Sequence, residues 1–377
     1  MNNKRLEEFD LIIGDGNYSS KYPKSEEFLN VGIPFLSASD FADKTIDYNN
    51  SKKISPELHS QLKKGHVQKG DLLIVVRGNG VGKTGFIDDE IDECNINAQL
   101  AFVRSNDANL DTEYLYYNMK CNYEKLKSLA TGSAQPQLVI GNLVKYLLNV
   151  PSIELQIKIR NILSNIDDKI KLNNEINNNL YEMQKCYFGE IFKEKEYYEI
   201  RLDDLFMVSA GGDAPKDKKE LSSDEYKYPI VSNGIENEGI YGYSKEYKID
   251  KKSVTISARG TIGYKVLRNY NYYPIVRLIS VIPKDDSISS EYLFYALDDI
   301  QILGTGTTQQ QLTIPMVKDI KIKVYDVDLI KKFTDYSISL NKKIDNNKIE
   351  NKRLEELRDT LLPKLMNGEI DLDNIEI

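Results

Sequence analysis

From about Ile153 to Phe192, large side chains fall at Ile159, Ile162, Ile166, Ile176, Leu180, Met183 and Tyr187. Once Lys169 and Asn173 fill the two vacant steps, the spacing alternates between three and four residues. That is the period of a coiled-coil seam, and it predicts one long helix. Pro151 limits extension backwards, and Gly189 offers a stop near the other end. An Asn-rich helix with so few charges is a poor solitary helix, so a partner helix is expected.

The candidate partner lies in the same chain. TGSAQPQL, from Thr131 to Leu138, recurs as TGTTQQQL, from Thr305 to Leu312, an offset of 174 residues. Carried forward, that offset places Ile159 on Phe333, Ile162 on Tyr336, Ile166 on Leu340, Lys169 on Lys343 and Ile170 on Ile344. It then places Asn173 on Asn347, Leu180 on Leu354, Met183 on Leu357 and Tyr187 on Leu361, with one departure where Ile176 meets Glu350. A fixed period of this kind marks an internal repeat. Polar Asn173 and Asn347 at seam positions are expected to fix register at some cost in stability.

Upstream of each helix the agreement is looser but keeps its order. Asp71 to Val76 reads as a strand leading into RGNGVGKTG, and Ser253 to Ala258 as a strand leading into RGTIGY. Further strands are predicted at Ala98 to Val103 and at Ile275 to Ile282. Short helices are predicted where EYLYY and EYLFY recur, in Asp111 to Lys120 and Ser289 to Asp298. GIPFLSASDF (Gly32 to Phe41) sits roughly where YPIVSNGIENEGIYGY (Tyr228 to Tyr243) sits in the second half. The expected architecture is α+β: a mainly-β domain over 1–150, a helical spacer over 151–195, a second mainly-β domain over 196–325, and a second helical spacer with a tail over 326–377. The two long helices are expected to lie antiparallel, as a rigid spacer between the domains.

Composition narrows the function. A chain of 377 residues with 41% hydrophobic and 29% charged residues has room for two domains with ordinary cores. No segment approaches the length of a membrane span, the N-terminal stretch lacks a signal-peptide core, and Cys94, Cys121 and Cys186 stand far apart, so a cytoplasmic protein with reduced thiols is expected. With His59 and His66 the only histidines, a His-based triad or zinc site has almost no material. The net charge of −8 argues against DNA binding by bulk electrostatics and leaves room for local basic strips.

Gly78 to Thr84 resembles a P-loop, but that motif needs glycine where Arg77 stands, and RGTIGY carries no lysine ahead of its tyrosine. Gly80, Gly82 and Gly85 match GxGxxG only formally, because no helix is predicted to follow. The preferred reading is a glycine-rich hairpin that presents cations to a polyanion: Arg77, Asn79, Lys83 and Thr84 in the first half, Arg259, Thr261, Lys265 and Arg277 in the second. Gln135, Gln137, Gln309 and Gln311 are able to read adenine, but bracing a loop is the favoured role. The acidic run Asp88 to Glu93 reads as a solvated turn, and no metal ligand set is assigned.

The combined pattern resembles the specificity subunit of type I restriction–modification systems. The resemblance covers essentially the whole chain and is carried by GIPFLSASDF, GDLLIVVRGNGVGKTG, TGSAQPQL with its echo TGTTQQQL, and LRDTLLPKLMNGEI (Leu357 to Ile370). It implies a non-catalytic, DNA-binding reader in which each target-recognition domain reads one half of a split double-stranded DNA target and the helices set the gap. Two methyltransferase subunits would dock on it, and restriction subunits could join them. No cofactor is expected on this chain, with S-adenosylmethionine and ATP/Mg on the partner subunits. Competing readings are a subunit of a split type II system, a coiled-coil protein-interaction scaffold and a nucleotide hydrolase.

Overall fold

A computed structural model describes residues 2–16, 22–41, 46–78, 80–88, 91–132, 136–304 and 310–372. Asn79, Gln135, Gln309 and parts of both TGSAQPQL and TGTTQQQL lie outside them. The chain divides into one unit made of 1–172 and 350–377 and a second made of 173–349.

Both units carry a four-stranded sheet with its strands in the same order, while their second sheets differ, with four strands in unit 1 and three in unit 2. In unit 1 an antiparallel sheet runs Leu11–Asp15, Leu100–Ser105, Leu72–Val75, Thr84–Phe86. In unit 2 the matching sheet runs Phe206–Ala210, Ile279–Pro283, Ser253–Ile256, Lys265–Arg268. A second sheet in each unit contains one parallel pair, Ile33–Leu36 with Glu93–Ile96 and Tyr228–Val231 with Tyr273–Pro274. A two-stranded ribbon completes each: Asn2–Arg5 with Leu147–Val150, and Tyr198–Arg201 with Lys321–Val324. The strands Leu72–Val75 and Ser253–Ile256 are buried along their whole length, which is why they read as short runs of apolar and β-branched residues.

The EYLYY and EYLFY helices are Thr112–Cys121 and Ser290–Ala296. Each is capped by the polar residue before it: Asp111 accepts from the Tyr114 N–H at 2.8 Å, and Ser289 from the Tyr292 N–H at 3.0 Å. Their buried tyrosines and leucines join the cores that also receive the long helices. Tyr114 and Leu115 share a cluster with Ile159, Leu163, Leu362 and Leu365, and Tyr292 and Leu293 share one with Phe192, Ile330 and Phe333.

The long helices run Ile153–Phe192 and Val327–Met366, 40 residues each. Within each unit their segments pair antiparallel. In unit 1 Lys158 Nζ donates to the Leu372 carbonyl at 3.0 Å, and Asp167 meets Arg358. In unit 2 Asn347 Nδ2 donates to Asn177 Oδ1 at 2.8 Å, and Tyr187 packs on Phe333 and Tyr336.

The seam differs from the expected one at alternate positions. Ile159, Ile166, Asn173 and Leu180 are buried as expected, but between them the buried residues are Leu163, Ile170, Asn177 and Gln184. The expected Ile162 and Ile176 are half-buried, and Met183 is 51% exposed. The second helix shifts in the same sense. Phe333 is buried and Leu340, Asn347 and Leu354 are half-buried, while Ser337, Ile344, Asn351 and Arg358 fill the alternate places, and Leu357 is 47% exposed. The cause is physical. Several true seam residues are polar, and in a hydrophobic pattern they register as gaps beside an apolar neighbour. Their polarity is satisfied internally: Ser337 Oγ donates to Gln184 Oε1 at 2.5 Å, and Gln184 Nε2 donates to Asn341 Oδ1 at 3.3 Å. Leu357→Glu should therefore shift the urea midpoint by less than the equivalent of about 0.5 kcal/mol. A loss above about 2 kcal/mol would return Leu357 to the seam.

Candidate DNA interface

In unit 2 the buried strand Ser253–Ile256 delivers the chain to an exposed turn at Arg259, Gly260 and Thr261. Gly260 has φ +68 and open space where a Cβ would stand, so conformation rather than crowding calls for glycine there. Asn233 ties this turn to a second one. Its Oδ1 accepts from the Ala258 N–H and its Nδ2 donates to the Val276 carbonyl, both at 2.7 Å. Val276 and Arg277 both take left-handed backbone, φ 51 and 61, and both are exposed. Such backbone is uncommon for any residue but glycine and costly for a β-branched one, and it persists where surrounding bonds impose it. Here the Val276 and Arg277 N–H groups donate to the carbonyls of Gly212 and Gly211, both at 2.9 Å, and Leu278 closes the turn on Ile275.

Between the two turns lies a groove of about 440 Å³ lined by Asn233, Tyr241, Arg259, Ile275 and Val276 among others. On the other side of Arg259 a second groove of about 650 Å³ runs along Ile262, Leu303, Gly304 and Gln311. Lysines paired with tyrosines stand near the first. Lys218 lies 4.2 Å from the Tyr241 ring centre and bonds its hydroxyl at 3.0 Å, and Lys248 lies 4.3 Å from the Tyr273 ring. Alternating cations and aromatic faces beside an exposed arginine suit a polyanion carrying stackable bases.

Lys265 does not join this surface. It is 14% exposed, bonds to the Phe294 carbonyl and to Asp298 Oδ1 at 2.5 Å, and has its pKa lowered by burial against the pull of Asp298. The expected free cation is instead a brace between a strand and the helix Ser290–Ala296.

In unit 1 Arg77 follows the strand Leu72–Val75 and is half-buried, bridged to Gln137, while Lys83 is exposed. Gly82, φ +93, lies against Tyr123 and Lys127, and Lys127 stands over the Tyr123 ring at 5.5 Å. The stretch continues into the strand Thr84–Phe86 rather than a helix, which removes the structural setting of a P-loop. Thr84 faces a different environment from the expected one. It lines a small cleft of about 100 Å³ with Asp88, Glu113, Asp167, Asp168 and Lys171, four carboxyl groups to one ammonium, a balance that does not favour phosphate. Asp88, read from sequence as part of a solvated turn, pairs there with Lys171 at 2.7 Å.

Burial raises the Glu113 carboxyl from 4.5 to about 7, with Asp111, Asp168 and Asp167 adding to the rise and Arg160 opposing it. Its folded pKa lies above its unfolded one, so its stability contribution is full below about pH 4.5 and is lost as pH rises to about 7. Glu113→Gln should stabilise unit 1 by about 1–2 kcal/mol at about pH 8, after allowing for solvent screening, and by little at about pH 4. Urea melts at the two pH values check this, and a pH-independent difference contradicts it.

The two histidines meet, His66 Nδ1 lying 3.3 Å from His59 Nε2, and His59 Nε2 also lies 3.3 Å from Glu93 Oε2. Among the described residues no group of three or more His, Cys, Asp or Glu is arranged to hold a metal ion. No helix among them is long and apolar enough to cross a membrane. Sequence reasoning missed Asn233, Tyr241, Lys218 and Lys248. Asn233 lay within a quoted motif, but its bonds to two distant turns leave no local signal.

A model of the type I restriction modification DNA specificity domain matches residues 9–182 and again 194–357. The chain belongs to that family. Its relatives are named type I specificity subunits. A putative type I specificity subunit of Mycoplasma pneumoniae is 31% identical over 200 residues, 51% of this chain and 54% of that protein. The type I restriction enzyme HindI specificity subunit of Haemophilus influenzae is 24% identical over 411 residues, covering 83% of this chain and 89% of that one. Among solved structures, the type I S subunit of M. genitalium shares the fold with a TM-score of 0.61 at 18% identity, covering 97% of this chain and 95% of that chain. The double match of the family model falls on the two halves whose matching sheets share one strand order.

Proposed function

We propose that the chain reads a split DNA target, one half with each unit, for a methyltransferase that docks on it. The observation that carries this reading is the recurrence, in both units, of an arginine after the central strand at the same topological place. Two recognition surfaces of one design imply two sites on one ligand, and linking them raises the effective concentration of the second once the first is engaged. The long helices are proposed as the element that fixes the gap between the half-sites. At 1.5 Å per residue, 40 residues measure about 60 Å.

In this reading S-adenosylmethionine, and any ATP and magnesium, belong to partner subunits, and the complex works in the cytoplasm. Net acidity fits a subunit that contributes restricted basic surfaces to a larger assembly. The test is binding of duplex DNA by the chain assembled with its methyltransferase partner. Sequence-selective affinity that falls with salt is expected. Salt-independent or undetectable binding would favour the scaffold reading.

A further inference from the structure

The Arg-Gly and Gln-Leu repeats, far apart in sequence, form one junction in each unit. In unit 1 the Leu138 N–H donates to the Val76 carbonyl at 2.9 Å. That sets Gln137 across from Arg77, and the two form an antiparallel bridge. With its amide oxygen toward the guanidinium, Gln137 accepts from Arg77 Nε at 3.0 Å and Nη2 at 2.9 Å. In unit 2 the Leu312 N–H donates to the Ala258 carbonyl at 3.0 Å, and Arg259 Nη2 donates to Gln311 Oε1 at 3.2 Å. Each arginine is followed by a left-handed glycine, Gly78 at φ +93 and Gly260 at φ +68, with open space beside it.

We infer that Gln137 and Gln311 are positioning residues that aim Arg77 and Arg259 at DNA. This rests on the proposed reading of DNA by the two units and adds to it the groups that set the angle of each arginine. A neutral amide suits the task. It restricts a long side chain whose ordering would otherwise be charged to binding, and it leaves the guanidinium its full positive charge. A carboxylate in the same place would orient the arginine and neutralise it. The inference also explains why the Gln-Leu end of TGSAQPQL and TGTTQQQL recurs: leucine docks the segment beside the strand and glutamine meets the arginine.

The experiment uses the full chain assembled with its methyltransferase partner. The probes are duplexes carrying the mapped target, or the target with one half scrambled. Gln311→Leu should weaken binding to the intact target about tenfold, leave affinity for unrelated DNA and its salt slope unchanged, and have no further effect once the half read by unit 2 is scrambled. Gln137→Leu should do the same for the other half. Isosteric Gln→Met variants should match the Leu variants at unchanged thermal midpoints. If Gln311→Leu binds every duplex as the wild type does, the positioning role is overturned and the reading of DNA stands. It is equally overturned if the variants melt early and lose affinity for all DNA alike, since glutamine is then a structural brace. Should the wild-type complex fail to distinguish target from scrambled DNA, the underlying reading falls instead.

Discussion

Asp167→Ala is expected to destabilise unit 1 by about 3 kcal/mol. The Arg358 side chain is 1% exposed, and its Nη1 meets Asp167 Oδ1 at 2.5 Å. Burial works against that charge, and Asp167 with Asp359 raises the guanidinium pKa in spite of it. Tyr117 donates to the other oxygen of Asp167 at 3.0 Å, so the carboxylate serves two buried groups from opposite helices of the unit. Removing one partner of a buried pair costs about 3–5 kcal/mol, because the remaining charge is left without compensation. The lower end applies here, since Asp359 still accepts from Nη2 at 2.8 Å. A urea melt followed by a probe in unit 1 measures the loss, and a change below about 1 kcal/mol would contradict the account. The double variant Asp167→Ala, Arg358→Met should recover much of the loss, because an apolar replacement leaves no orphaned charge.

Arg259→Ala should lower affinity for the target by a factor of about 5 to 150, the equivalent of about 1–3 kcal/mol for a bidentate base contact. The arginine stands exposed between two grooves and next to a strained turn that other bonds hold in place. Affinity for unrelated DNA should fall less, since one cation among several is lost. Lys265→Ala makes the informative contrast. That lysine is tied to Asp298 and the Phe294 carbonyl, so its removal should lower the thermal midpoint while sparing the specificity ratio. Competition binding with target and scrambled duplexes separates the two effects. Equal losses of specificity at both positions would remove Arg259 from the proposed interface.

The repeat, the long helices and most strands were legible because they rest on local periodicity. Burial leaves an apolar run at Leu72–Val75 and a β-branched one, Val254 to Ile256, in the matching strand, and Ile159, Ile166 and Leu180 mark one edge of the seam. The other edge was misread where buried Asn177, Gln184, Ser337 and Asn351 interrupt the apolar pattern, since a satisfied polar residue looks like a surface one. Arg77 and Arg259 were legible as a repeated feature because Arg-Gly recurs after matching strands. The placing of Lys265 and Thr84 was illegible, because their surroundings come from residues distant in sequence. Bracing by glutamine was expected at Gln137 and Gln311, but the arginine it would meet was not, because each pair closes across 52 or more residues.

Mapping methylated bases across the genome of a host that carries this chain and its methyltransferase partner tests the central claim most directly. The account predicts one two-part motif with a fixed gap of unspecified bases. The motif should disappear when this chain is deleted, and the Arg77→Ala and Arg259→Ala variants should each relax a different half of it. A continuous motif, or one that persists without this chain, would contradict it.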